Sequence, residues 1–145
     1  MSEKYNLHVV RQSTITKRLI IMSRAKYYRD YNKTYNGKSI RLHLNKRRYC
    51  ELNDIDYNLD QEWIHDRMLK GCSLTGIKFD LNAVDGRLNP MGPSIDRIDS
   101  TMGYLKSNCR VILFCLNAFK STMSDDEMYS VAKKLIGNFK PYPIQ

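Results

Sequence analysis

The stretch Pro93-Ser94-Ile95-Asp96-Arg97-Ile98-Asp99, followed by Gly103-Tyr104, Asn108 and then Asn117 with Lys120, leaves this chain few ways to fold. Ser94 to Ile98 predicts a short strand, and the apolar run from Cys109 to Phe114 predicts a second. Only the turn from Ser100 to Ser107 separates them, and its Gly103 supplies a backbone angle that other residues resist. So short a connection predicts an antiparallel hairpin. A lone hairpin is marginal in water, so the helix carrying Asn117, Phe119 and Lys120 must pack back onto it.

The rest of the chain sets the bounds. At 145 residues it is most simply one compact domain. A domain of that size buries roughly 70% of its unfolded surface, enough for a core without disulfides or a structural metal. No structural zinc is expected, because Cys50, Cys72, Cys109 and Cys115 are isolated, with no C-x-x-C pair. They read as reduced core thiols, with Cys72 and Cys109 the pair to check otherwise. The 24 Lys and Arg against 15 Asp and Glu leave a net charge of +9, which favours a polyanionic partner, nucleic acid first. The apolar run Leu19 to Met22 is far below the ~20 residues a membrane span needs, and no signal-peptide core precedes it. No membrane partner is expected. The expected setting is cytoplasmic, in a bacterial or phage-infected cell.

Residues 1–12 show no period and read as a loose arm or edge segment. From Thr14 to about Asn32 the spacing of Ile15, Leu19, Met22, Tyr27 and Tyr31 predicts an amphipathic helix with Lys17, Arg18, Arg24, Lys26 and Arg29 between them. Asn36-Gly37 is expected to close it or to turn the chain. Ser39 then caps a second helix with Ile40, Leu44 and Cys50 inward and Arg41, Lys46, Arg47 and Arg48 outward, although Ser39 to Leu44 also alternates as a strand would. Eleven Lys and Arg fall between Lys17 and Arg48, and this density reads as a phosphate-tracking surface. Asn58 with Gln61 looks like a capping pair opening a helix through Trp63, Ile64, Met68 and Leu69, which stops at Gly71. Cys72 to Phe79 reads as a short strand or tight turn beside the hairpin, and Asp80 to Gly92 as a loop. Ser124 and Glu127 form a capping box for a last helix through Met128, Val131 and Leu135, ending at Gly137. The tail from Pro141 is expected to be extended.

Asp96, at the end of one strand, and Asn117, on the facing helix, offer hard oxygen ligands of the kind Mg²⁺ or Mn²⁺ prefers. Asp99 is a third ligand or a partner of one. Cleaving a phosphodiester needs such a Lewis acid, a way to deprotonate water, and cations that hold the backbone in line. Each residue also has a plain structural reading, since Asp and Asn favour strand ends and turns.

The segments Cys72-Ser-Leu-Thr-Gly-Ile-Lys-Phe79, Pro93-Ser-Ile-Asp-Arg-Ile-Asp99, Gly103-Tyr104, Asn108-Cys-Arg-Val111 and Asn117-Ala-Phe-Lys120 together resemble the HNH endonuclease family, in its phage and bacterial branch. The approach helix with Leu59 and Trp63 before Gly71-Cys72 is similar too, so the resemblance covers about residues 58 to 121. It implies an α+β fold of the ββα-metal (His-Me finger-like) type, one Mg²⁺ or Mn²⁺, and nicking or double-strand cleavage of DNA. Asp96 matches the family's acidic metal ligand and Asn117 its metal ligand on the helix. Asn108 matches the central asparagine, which ties the loop between the strands and orients the base. Lys120 would sit near a phosphate, and Arg110, Arg24, Lys26, Arg47 and Arg48 are the other expected DNA contacts. The expected organisation is a basic, mainly helical DNA-gripping region over residues 1–57, packed on the ββα nuclease region over 58–145.

Arg97 departs from the pattern. It stands where most members have the histidine that activates water, and a guanidinium that is always protonated is a poor general base. Three readings follow. Water is activated by His65, His43, Tyr104 or the metal alone while Arg97 clamps the phosphate; or the fold has lost cleavage and binds DNA or blocks another protein; or the match is a coincidence and Arg97 with Asp99 is a structural ion pair.

Overall fold

The structure, a computed structural model, describes residues 17–140 apart from 19, 22 and 83–87. The expectations for the arm over 1–12, for Thr14, Ile15, Leu19 and Met22, for part of the 80–92 loop and for the tail therefore fall outside it. The architecture is α+β, a mainly helical molecule with one small antiparallel sheet among the described residues. Helix α1 (23–31) leads through a short turn to α2 (Tyr35–Asn53) and α3 (Gln61–Lys70). Then come β1 (Pro93–Arg97), β2 (Cys109–Leu113), α4 (Phe114–Lys120) and α5 (Asp125–Asn138).

The first helix boundary lies earlier than the sequence suggests. Thr34 caps α2 by accepting from the Gly37 amide at 3.0 Å, so Asn36-Gly37 is the first turn of α2 and not the end of α1. Glycine is needed at that place because a Cβ on residue 37 would lie 2.1 Å from the Tyr31 carbonyl oxygen. Ser39, expected as a cap, is instead fully buried inside α2, donating to the Asn36 carbonyl and accepting from Gln61. The inward face of α2 is Ser39, Leu42 and Cys50; Leu44, expected inside, is exposed.

The cap of α3 is Asp60, whose carboxylate accepts from the Trp63 amide at 2.7 Å. Asn58 takes another task, accepting from the Lys106 amide at 2.7 Å and so tying the interstrand turn to the α2–α3 link. Gly71 ends α3 at φ 93°, as expected, and the chain then turns through Cys72 to Gly76 without forming a strand. The strands pair antiparallel, Pro93 opposite Leu113 and Asp96 opposite Arg110. The second strand runs without a loop into α4. Ser124 and Glu127 cap α5 reciprocally, although that helix continues past Gly137 to Asn138.

Ile64 and Met68 of α3, Val111 and Ile112 of β2, Ile95 of β1 and Cys50 of α2 make the centre of the core. Each large aliphatic side chain there contributes about 1.5–3 kcal/mol by leaving water. All four cysteines are free thiols, three of them buried.

Candidate functional site

Residues alternate across a strand, so one face of the hairpin carries Ser94, Asp96, Arg110 and Ile112 toward α4, while Ile95, Arg97, Cys109 and Val111 face the opposite way. That alternation divides the predicted site in two.

On the α4 side, Asp96 is only 2% exposed and both of its oxygens are engaged. Arg110 Nε donates to Oδ2 at 2.8 Å and Lys120 Nζ to Oδ1 at 3.3 Å. Lys120 is itself completely buried, and its ammonium also donates to the carbonyls of Arg97 at 2.8 Å and Ile98 at 3.3 Å. Arg110 turns its other nitrogens to Asp125 in the first turn of α5, with Nη1 2.7 Å from Oδ2 and Nη2 2.5 Å from Oδ1. Two cations thus balance two carboxylates. The hydrogen bonds from Arg110 hold the Asp125 carboxyl below its usual range, and those to Asp125 raise the guanidinium further above its own.

Asn117 also reaches this face. Its amide nitrogen donates to Ser94 Oγ at 2.7 Å and to the Ile95 carbonyl at 3.2 Å, and because a carbonyl can only accept, this fixes which end of the amide is nitrogen. Asn117 Oδ1 therefore points away from β1. Asn108, 5% exposed, accepts from the Asp99 amide at 3.0 Å and donates to the carbonyls of Asp99 at 2.9 Å and Gly103 at 3.1 Å. It ties down the turn between the strands. Asp99 is occupied locally: its carboxylate accepts from the Thr101 hydroxyl and amide, which hold it below its usual range.

Arg97 lies on the other side. Its guanidinium carbon is 4.9 Å from the centre of the Tyr104 ring and its Nη1 donates to the Met102 carbonyl at 2.9 Å. Lys46 of α2 approaches the same tyrosine, with Nζ 4.5 Å from the ring centre and 3.1 Å from the hydroxyl. Lys46 was expected outside with its neighbours on α2 and is half-buried. Among the described residues none of the groups named as alternative bases hydrogen-bonds Asp96: His43 bonds the Tyr57 hydroxyl at 2.9 Å, His65 lies 3.9 Å from Asp66, and the Tyr104 hydroxyl accepts from Lys46.

The donor types suit a hard divalent cation, since a carboxylate and the two carbonyls already surround a positive charge. Their present pairing does not fit one. Neither oxygen of Asp96 is free, the cation it faces is Lys120, and no group of three His, Cys, Asp or Glu side chains poised for a metal occurs among the described residues.

The expected DNA contacts divide as well. Arg24, Lys26, Arg47 and Arg48 are exposed on α1 and α2, with Arg47 paired to Glu51 at 2.8 Å. Lys120 and Arg110 do not belong with them. Both are turned inward by Asp96, because a buried carboxylate requires cations close by. Sequence reasoning missed Asp125, which falls between the capping residues Ser124 and Glu127, and the site role of Lys46, which carries no local signal.

No protein-family model matches this chain, and no curated protein does. A solved structure of a rare-cutting HNH restriction endonuclease is similar, with a TM-score of 0.49 and 20% sequence identity over 69% of this chain and 80% of that one. That enzyme is PacI, whose structure is described as showing an extraordinary mechanism of DNA perturbation.

Proposed function

We propose that the protein acts on double-stranded DNA as an HNH-type endonuclease, gripping the backbone with α1 and α2 and hydrolysing phosphodiester bonds at the hairpin and α4 in the presence of Mg²⁺ or Mn²⁺. The observation that carries this reading is the ββα unit itself, β1–β2–α4, which turns Asp96 and Asn117 toward one face while Asn108 secures the turn. The exposed cations Arg24, Lys26 and Arg48 suit the sequence-independent attraction to phosphates that such an enzyme needs. Asp96 and Asn117, the latter through Oδ1, would hold the metal, whose chemistry is that of a Lewis acid on the scissile phosphate. This requires Asp96 to part from Lys120 or Arg110, and Arg110 has Asp125 to keep it.

A second reading has specific support. Asp96 neutralised by the buried Lys120 and the half-buried Arg110, with Arg97 turned to Tyr104, suits a fold that binds DNA without cutting it. Incubating supercoiled plasmid with the protein and Mg²⁺ or Mn²⁺, beside Asp96→Asn and Asn117→Ala, separates the two. Conversion to nicked or linear DNA that both variants lose supports the enzyme. Intact plasmid at protein concentrations that shift its mobility leaves the binding module.

A further inference from the structure

Lys46 and Arg97 are 51 positions apart in sequence, yet they converge on one tyrosine. Tyr104 is 8% exposed and is held from behind: its amide donates to the Asp56 carbonyl at 2.8 Å, and it bridges in parallel to Tyr57. Gly103 allows this approach, since a Cβ there would lie 2.5 Å from the Asp56 carbonyl oxygen. Against this fixed ring the two cations are steered by cation–π attraction and by single hydrogen bonds to neutral oxygens, Lys46 to the Tyr104 hydroxyl and Arg97 to the Met102 carbonyl. Among the described residues neither forms a salt bridge, whereas Arg110, Lys120, Lys106 and Arg47 all do. Both are half-buried, so neither side chain is sealed from solvent.

Two preoriented cations that form no salt bridge among the described residues favour an anion. A neighbouring carboxylate would have satisfied them from within, as Asp96 satisfies Lys120. The remaining N–H groups of Arg97 and the ammonium of Lys46 match the oxygens of a phosphate, arginine by its planar fork and lysine as a point charge. We propose that Lys46 and Arg97, set by Tyr104, form a phosphodiester-binding site on the face of the hairpin opposite Asp96, taking one backbone phosphate of DNA. The site joins the helical half of the chain to the ββα unit, so one phosphate bridges both. It rests on the reading that this protein acts on DNA and holds whether or not the DNA is cut.

The test is fluorescence anisotropy with a short labelled DNA duplex, in EDTA and over a salt series. Lys46→Gln and Arg97→Gln should each weaken binding about tenfold and lower the slope of log affinity against log salt by about one, while Lys46→Arg and Arg97→Lys retain the slope. Thermal melting reports folding, and if Arg97→Gln fails to fold, the Lys46 pair and Arg97→Lys carry the comparison. Wild-type binding with unchanged slopes in the glutamine variants overturns this site and leaves the DNA reading standing. A wild-type protein that ignores duplex DNA overturns both.

Discussion

The ammonium of Lys120 lies 3.3 Å from the carboxylate of Asp96, and the two side chains are 0% and 3% exposed. With Arg110 on the other oxygen, Asp96 is the hub that holds β1, β2 and α4 together. Removing one partner of such a buried pair leaves the other charge uncompensated. Lys120→Met should lower stability by about 3–5 kcal/mol, read as a drop in the urea midpoint, and Asp96→Asn combined with it should recover part of the loss. An unchanged midpoint in Lys120→Met would remove the pair from the fold's support.

The link between Arg110 and Asp125 makes a pH prediction. Hydrogen bonds from Arg110 keep the folded Asp125 carboxyl below its ordinary value of 3.8. The unfolded chain lacks that partner, so on acidification it takes up the proton first. The stabilisation is full above the ordinary value and is lost as pH falls through the lower folded one. Urea midpoints measured between about pH 5 and pH 2 should fall less steeply in Asp125→Asn than in the wild type.

Asn108 satisfies one amide and two carbonyls of the turn. Asn108→Ala leaves those groups without their partner at a nearly buried position, at a cost of about 1–3 kcal/mol. Hydrogen exchange at the Asp99 amide should accelerate by more than the global loss of stability explains. Equal acceleration throughout the core would mean that the side chain does not act on the turn.

Gly37→Ala tests the junction between α1 and α2. The added methyl meets the Tyr31 carbonyl oxygen at 2.1 Å, a contact with rigid backbone. Although alanine is the better helix former, the variant should be destabilised by about 1–3 kcal/mol, measured by chemical denaturation. A gain in stability would show that α1 does not pack on α2 as described.

Much of the fold was legible from short-range rules. The hairpin, the helix behind it, the stop at Gly71 and the Ser124 capping box are set by residues within a few positions of one another, and periodicity and turn chemistry act over that range. The boundary at Asn36-Gly37 was misplaced because glycine serves two purposes, ending a helix or admitting another segment. Here the second decides, and the segment it admits is Tyr31. Asn58 departs from its expected capping role for a similar reason, since its partner Lys106 lies 48 positions away, in the turn between the strands.

The candidate site shows the same division. Residue types alone placed Asp96, Asn108 and Asn117 on one hairpin and helix, because strand alternation and helix spacing are local. Which charges face which was decided only by the packing of α4 and α5 against the sheet. Burial gives Asp96 a strong demand for cations, and the nearest ones, Lys120 and Arg110, meet it from within instead of reaching for DNA. The pairing of Lys46 with Arg97 on Tyr104 arises in the same way, from the docking of α2 beside the hairpin. Electrostatic partners are chosen by distance in space, and spatial distance is what a linear pattern of residues does not contain.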